Sequence, residues 1–293
     1  MSSRLVALAA IMLLTGLTRP SMAADFSLET FKPTGVAEYD DAVRSYLNQT
    51  TPKIINGIAA PLNAFPWQSS LGVAPIADAG RAHFCGGALI DATHVVTAAH
   101  CVAGLSETQV SVALGTVHLG AETKRLAVRK IDVHPDYRAG AKDADIALLQ
   151  LENAVTSNAA IAPIALLEAT REGAFLAEGV KFTVTGWGLT SVNGHSVRDL
   201  RQVDVPFVSA ETCADPLAYG SRVTKNMICA GSVNGDACQG DSGGPLVTKS
   251  QPSLLIGLVS WGKGCAVAGR VGVYTRVANY RTWLLAQSGI LPQ

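Results

Sequence analysis

From residue 54 onward the chain runs in short apolar stretches divided by turn signals. Residues 109–114, 180–185 and 254–260 are such stretches, rich in valine, isoleucine and leucine with threonine and serine between them. Asn193-Gly194 and Asn234-Gly235 are dipeptides that favour tight turns between strands. Short strands at this spacing predict a β-sandwich or β-barrel. One helix is predicted, at 277–287, where Val277, Tyr280, Leu284 and Leu285 form a single apolar stripe. It reads as a packed C-terminal helix. No internal repeat or low-complexity tract is present.

The N-terminal part has a different character. Arg4 precedes a largely apolar run over residues 5–17, and Ser21-Met22-Ala23 offers small residues where a signal peptidase inspects them. The run falls short of the about 20 residues a bilayer span needs. Residues 1–23 therefore read as a signal peptide cut after Ala23, and the protein as secreted, or periplasmic in a bacterium. No later stretch is long and apolar enough to span a membrane. Residues 24–53 hold the acids Asp25, Glu29, Glu38, Asp40 and Asp41 against the bases Lys32, Arg44 and Lys53. They end in the polar Asn48-Gln49-Thr50-Thr51-Pro52-Lys53, an exposed linker, and the sequence then changes at once to Ile54-Ile55-Asn56-Gly57. This reads as a pro-segment over 24–53 and a mature enzyme over 54–293.

Composition narrows the class. Of 293 residues 48% are apolar, enough for a sizeable core, and 23 basic residues balance 23 acidic ones. A neutral chain carries no electrostatic argument for nucleic acid or an anionic membrane as partner. Export makes the six cysteines (85, 101, 213, 229, 238 and 265) readable as disulfides. None shows a C-x-x-C spacing, which argues against zinc or a redox pair, and counting alone does not choose the pairing.

The chemistry centres on Gly240-Asp241-Ser242-Gly243-Gly244-Pro245. A serine among glycines can sit on a tight turn with its hydroxyl exposed and nearby N–H groups free to hold an oxyanion. The G-x-S-x-G pattern also fits an α/β-hydrolase elbow, but there the histidine follows the serine. Here the last histidine is His195, so that reading fails. Upstream, His100 lies in Thr97-Ala98-Ala99-His100-Cys101 after the apolar Val95-Val96. The other histidines (83, 94, 118, 134 and 195) read as surface residues. Asp145 opens Asp145-Ile146-Ala147-Leu148-Leu149-Gln150-Leu151, an acid at the mouth of a buried strand, with Asp143 as its rival in less apolar surroundings.

Together these segments resemble the chymotrypsin-like (trypsin family) serine peptidases, over residues 54 to about 288. The motif at 97–101 is similar to the family's histidine motif, that at 145–151 to its aspartate motif, and that at 240–245 to its serine motif. The resemblance implies an all-β fold of two six-stranded antiparallel barrels packed face to face, with a C-terminal helix and the site in the cleft. It implies Ser242 as nucleophile, His100 as general base, Asp145 as its orienting acid, and the N–H groups of Gly240 and Ser242 as oxyanion hole. It also implies the pairings Cys85–Cys101, Cys213–Cys229 and Cys238–Cys265.

The same resemblance implies specificity and activation. Asp236 matches the floor of the primary pocket, Gly262 and Gly272 its walls, and Ser260-Trp261-Gly262 the segment that pairs with substrate backbone. A carboxylate floor implies cleavage after Arg or Lys. Ala237 stands where many members have serine, which removes a hydroxyl partner for lysine and favours arginine. Cleavage after Lys53 would free Ile54 to pair with Asp241. Thr116 replaces a calcium-binding glutamate, so no metal and no cofactor are expected. The expected partners are Arg- or Lys-containing proteins and peptides and protein protease inhibitors, and the enzyme is expected to be a monomer. A non-catalytic homologue used for binding is the alternative; such proteins usually have a replaced triad residue, and here all three are present.

Overall fold

The computed structural model describes residues 31–48, 54–55, 58–190, 198–232, 237, 240–264 and 269–289. Chain contacts divide the protein after Lys32, and the unit described below begins at Pro33. The signal-peptide stretch 1–23, both Asn-Gly dipeptides, Lys53, Asp236, His195 and the Cys238–Cys265 pair lie outside the described residues.

Twelve strands make two closed barrels. The first holds β1 (Gln68–Val73), β2 (His83–Leu89), β3 (His94–Thr97), β4 (Val110–Leu114), β5 (Arg125–Val133) and β6 (Ala147–Leu151). They close in the order β1-β2-β3-β6-β5-β4. The second holds β7 (Lys181–Gly186), β8 (Arg201–Val208), β9 (Met227–Ala230), β10 (Pro245–Thr248), β11 (Leu254–Trp261) and β12 (Gly272–Arg276). Its order is β7-β8-β9-β12-β11-β10, closed by the pairing of β10 with β7. Every pairing within both barrels is antiparallel. The two halves thus share one topology, a repeat of strand pairing that no repeat in the amino acids announces. Within each closed barrel every strand is paired on both sides.

The strands form where the apolar pattern predicts them, and their burial explains the pattern. Strands β1, β2 and β3 are buried at every position, because one face fills a barrel and the other is covered by a neighbouring layer. Between the barrels, Val96, Ile146 and Leu148 of the first meet Val247, Leu255 and Leu258 of the second. The C-terminal element closes this cluster from outside. It begins as a 3-10 turn at Val277–Tyr280 and continues as an α-helix at Arg281–Ser288. Val277, Tyr280 and Leu284 point into the cluster, Leu285 is half-buried, and Gly289 ends the helix at φ 70°.

Residues 33–48, within the stretch read as pro-segment, belong to the unit described here. Ala37–Leu47 forms a helix, α1, that packs against β1, β2 and the turns at Ala79–Ala82 and Ala99–Cys101. Val36, Tyr39, Ala42 and Val43 are buried on one of its faces, at the spacing an amphipathic helix requires.

Candidate active site

The first barrel supplies a histidine and an acid. Strand β3 ends at Thr97 and the chain tightens into the 3-10 turn Ala99–Cys101, which the Cys85–Cys101 disulfide ties back to β2. His100 therefore sits on backbone fixed from both sides. Asp145 follows Ala144, a non-glycine residue at φ 50°, and the Ile146 N–H donates back to the Ala144 carbonyl at 2.8 Å. This strained turn aims the Asp145 carboxylate across at His100. Oδ1 accepts the His100 backbone N–H at 2.8 Å, and Oδ2 lies 2.7 Å from His100 Nδ1.

Ser260 gives Asp145 a third donor, with Oγ 2.5 Å from Oδ2. The register of β11 against β12 shifts between Val259 and Trp261, so Ser260 is the extra residue of a bulge that turns its hydroxyl inward. Burial of Asp145 opposes its charge, but the His100 charge and the hydrogen bonds from His100 and Ser260 outweigh it. The carboxyl is held below its ordinary range. It is an ionised acceptor, so His100 Nδ1 carries a proton and Nε2 is the ring nitrogen left for chemistry.

The serine turn comes from the second barrel. The Gly244 N–H donates to the Asp241 carbonyl at 2.8 Å, closing the turn that carries Ser242. Gly243 stands at φ 75°, and a Cβ there would lie 2.2 Å from Thr97 Oγ1. The Gly86 N–H of β2 donates to the Ser242 carbonyl at 2.8 Å, so the two barrels meet backbone to backbone at the serine turn. Asp241 is buried behind the turn and accepts the Gly188 N–H at 3.0 Å on Oδ1. Ile54 pairs in parallel with Leu189, the neighbour of Gly188.

The structure thus brings His100 and Asp145 together and seats Ser242 on the facing turn. Asp143 is held elsewhere, accepting from Thr224 Oγ1 and Asn226 Nδ2 at 2.9 and 3.0 Å. The Cys85–Cys101 and Cys213–Cys229 disulfides are both formed. Ala237 is buried, Trp261 is half-buried, Gly262 is exposed and Gly272 opens β12. Cys85, His100 and Cys101 are the one close group of metal-type ligands among the described residues, and their two sulfurs already form a disulfide.

Two histidines correct the surface reading. His83 is buried, with Nδ1 2.8 Å from Ser70 Oγ and Nε2 3.0 Å from the Gly240 carbonyl. Burial pushes its pKa down to about 4, against a smaller opposite push from Gly240, so it stays neutral and braces the serine loop. His94 is buried with Nδ1 2.7 Å from Asp91. Sequence reasoning also passed over Tyr219. Its hydroxyl donates to the Val271 carbonyl at 2.7 Å and accepts the Lys263 N–H at 3.2 Å, joining the two chains that flank Gly262 and Gly272. No local motif marks it, because its partners lie far along the chain.

A closed double barrel with an acid–histidine pair facing a glycine-flanked serine defines a serine peptidase of the chymotrypsin type. The Trypsin family model matches residues 54–284. Trypsin 5G1 of Aedes aegypti is 39% identical over 244 residues, covering 83% of this chain and 87% of that protein. Trypsin alpha-4 of Lucilia cuprina is 38% identical over 239 residues, 81% of this chain and 88% of that protein. Transmembrane protease serine 11A of Homo sapiens is 39% identical over 243 residues, 81% of this chain and 56% of that protein. The chain belongs to the trypsin family and is a serine endopeptidase acting on proteins or peptides. None of its described helices is long and apolar enough to cross a membrane.

Proposed function

We propose that this is a secreted endopeptidase made as a zymogen, activated by cleavage after Lys53, that cuts after arginine and less readily after lysine. The observation that carries the catalytic part is the hydrogen-bonded pair of His100 Nδ1 and Asp145 Oδ2 at 2.7 Å beside the serine turn. His100 Nε2 takes the Ser242 proton as Oγ attacks the scissile carbonyl. The N–H groups of Gly240 and Ser242 hold the oxyanion, and Nε2 passes the proton to the leaving amine. Water, activated by the same nitrogen, then hydrolyses the acyl-enzyme. Asp145 keeps the ring in the required tautomer and stabilises its cation.

Support for the specificity comes from Asp236, six residues before Ser242, with glycine at 262 and 272 leaving room for a long basic side chain. A planar guanidinium can fork onto that carboxylate, whereas an ammonium misses the hydroxyl that Ala237 lacks. Support for activation comes from Asp241, buried and bonded to Gly188 next to the strand pair that holds Ile54. The leader-like residues 1–23 and the disulfides support export. Protease inhibitors of protein nature would dock in the same cleft, and the pattern fits a monomer.

The test is hydrolysis of matched Arg, Lys and Phe reporter peptides by the chain cleaved after Lys53, beside a Ser242→Ala control. Arg above Lys above Phe, with no turnover in the control, is expected. Phe cleavage equal to Arg would overturn the specificity, and turnover by the control would overturn the nucleophile.

A further inference from the structure

Helix α1 begins against His100. Glu38 Oε1 lies 3.4 Å from His100 Nε2, the nitrogen that must accept the serine proton. Its carboxylate also bears on Tyr137, whose phenol is pushed upward first by burial and then by the charges of Asp145 and Glu38. His100 is thus bracketed by Asp145 on Nδ1 and Glu38 on Nε2, with its side chain 5% exposed. The helix is anchored for this position. Tyr39 packs edge-on against Phe84 with ring centres 5.4 Å apart, and Val43 is fully buried. Arg81 donates to the Tyr46 carbonyl at 2.7 Å, and its guanidinium sits 4.3 Å above the Tyr46 ring. Asp40 accepts from the Thr34 N–H and hydroxyl, both at 2.8 Å, and from the Gly35 N–H at 3.1 Å, locking the chain that leads into the helix.

We propose that α1 is a tethered inhibitor that closes the active site through Glu38, and that cleavage after Lys53 frees the enzyme only when the helix also dissociates. This rests on the zymogen reading above and adds a second lock to it. The first Cys of the chain is Cys85, so no disulfide can hold residues 24–53 once the bond after Lys53 is cut. The helix ends at Leu47 with the exposed Asn48 as its cap, so the bond after Lys53 lies six residues beyond the helix in the sequence. The bond can therefore be cut with the inhibitor still seated. Release then depends on concentration, as for any non-covalent complex.

The test uses the full chain, cleaved after Lys53 by an added peptidase that is then removed. Labelling of Ser242 by a fluorophosphonate is timed from micromolar to nanomolar protein, and gel filtration follows residues 24–53. At micromolar protein the segment should co-elute with the enzyme. On dilution the labelling rate per molecule should rise at least about tenfold. Val43→Asp should label fast at every concentration and elute without the segment. Glu38→Ala, at a half-exposed position, should speed labelling while the segment still co-elutes. A wild-type rate independent of dilution and equal to that of both variants would overturn the inference. Dilution-dependent labelling without cleavage of Arg peptides would sink the specificity and leave the inhibitory helix standing.

Discussion

Replacing Asp145 by Asn tests whether it is the acid that orients His100, with Asp143→Asn as the comparison. In the wild type Asp145 accepts three hydrogen bonds, from the His100 backbone N–H, His100 Nδ1 and Ser260 Oγ. An amide offers one acceptor oxygen and one NH2 group. If the oxygen stays on the His100 and Ser260 donors at one side, the NH2 group faces the other donor and a bond is lost. If the NH2 faces Nδ1, the ring must present a lone pair there and carry its proton on Nε2, which can then no longer accept from Ser242. A hydrogen bond to a charged group contributes about 1.5–3 kcal/mol, so bond loss alone explains only part of the effect. The inverted tautomer adds the rest. In Ser-His-Asp serine proteases the corresponding change costs about 10⁴ in rate, or about 5.5 kcal/mol, and the same is expected here. Asp143→Asn should cost less than about threefold, because its partners Thr224 and Asn226 lie outside the site. The assay is kcat/KM on an Arg reporter peptide with the cleaved chain. Asp145→Asn within tenfold of wild type, or Asp143→Asn as inactive as Asp145→Asn, would refute the assignment.

Three further outcomes are expected. Gly243→Ala combines a disfavoured φ of 75° with a Cβ 2.2 Å from Thr97 Oγ1 and 2.7 Å from the Gly86 carbonyl, so it should lower stability by about 2–5 kcal/mol and abolish turnover; a folded, active variant in thermal melts and peptide assays would contradict this. His83, neutral when folded with a pKa near 4, lets the unfolded chain take up a proton first, so stability should fall by up to about 3 kcal/mol between pH 6.5 and 4. Asp145 and Asp91, both held below their ordinary range, add a further loss as pH drops through their folded values. Equal denaturant midpoints at pH 7 and pH 4.5 would count against that. Replacing Cys213 and Cys229 together by Ser opens a loop with a sequence separation of 16 and should cost about 3 kcal/mol in a urea titration; an unchanged midpoint would mean the bridge adds nothing.

The legibility of this site in the amino acids divides by how local each signal is. Ser242 and His100 stand in short motifs whose neighbours serve the same turn, so they can be read from a few residues. The choice of Asp145 over Asp143 rested on the apolar run behind it, and that run buries the carboxylate beside His100. His83 could not be read this way. Its partner, the Gly240 carbonyl, lies 157 residues away, and a histidine next to Ala82 and Phe84 carries no mark of burial. Ser260 was legible as a residue beside the cleft, but its bond to Asp145 depends on a bulge that only the pairing of β11 with β12 reveals. Helix α1 had a signal that went unused. Val36, Tyr39, Val43 and Tyr46 recur at helical spacing inside the stretch read only as a pro-segment.

The location of the site follows from how the barrels touch. Each barrel closes on itself, so neither needs the other to satisfy its strands, and the contact between them is free to be used for chemistry. At the nucleophile that contact is made of glycine. A Cβ on Gly86 would stand 2.8 Å from the Gly244 Cα, and one on Gly243 would strike Thr97. Apart from the Thr97 hydroxyl and the His83 ring, the contact is backbone against backbone, so the histidine loop and the serine loop lie at close range. In the mechanism proposed above, the groups that must stay aligned during turnover are His100, Asp145 and Ser242, and all three flank this contact. Glu38 reaches His100 from a helix packed on the first barrel, and the first cysteine of the chain, Cys85, comes after that helix, so no disulfide ties it there. Under the inference drawn above, Glu38 is the group around His100 that leaves while the others keep their places, as an inhibitor removed after synthesis must.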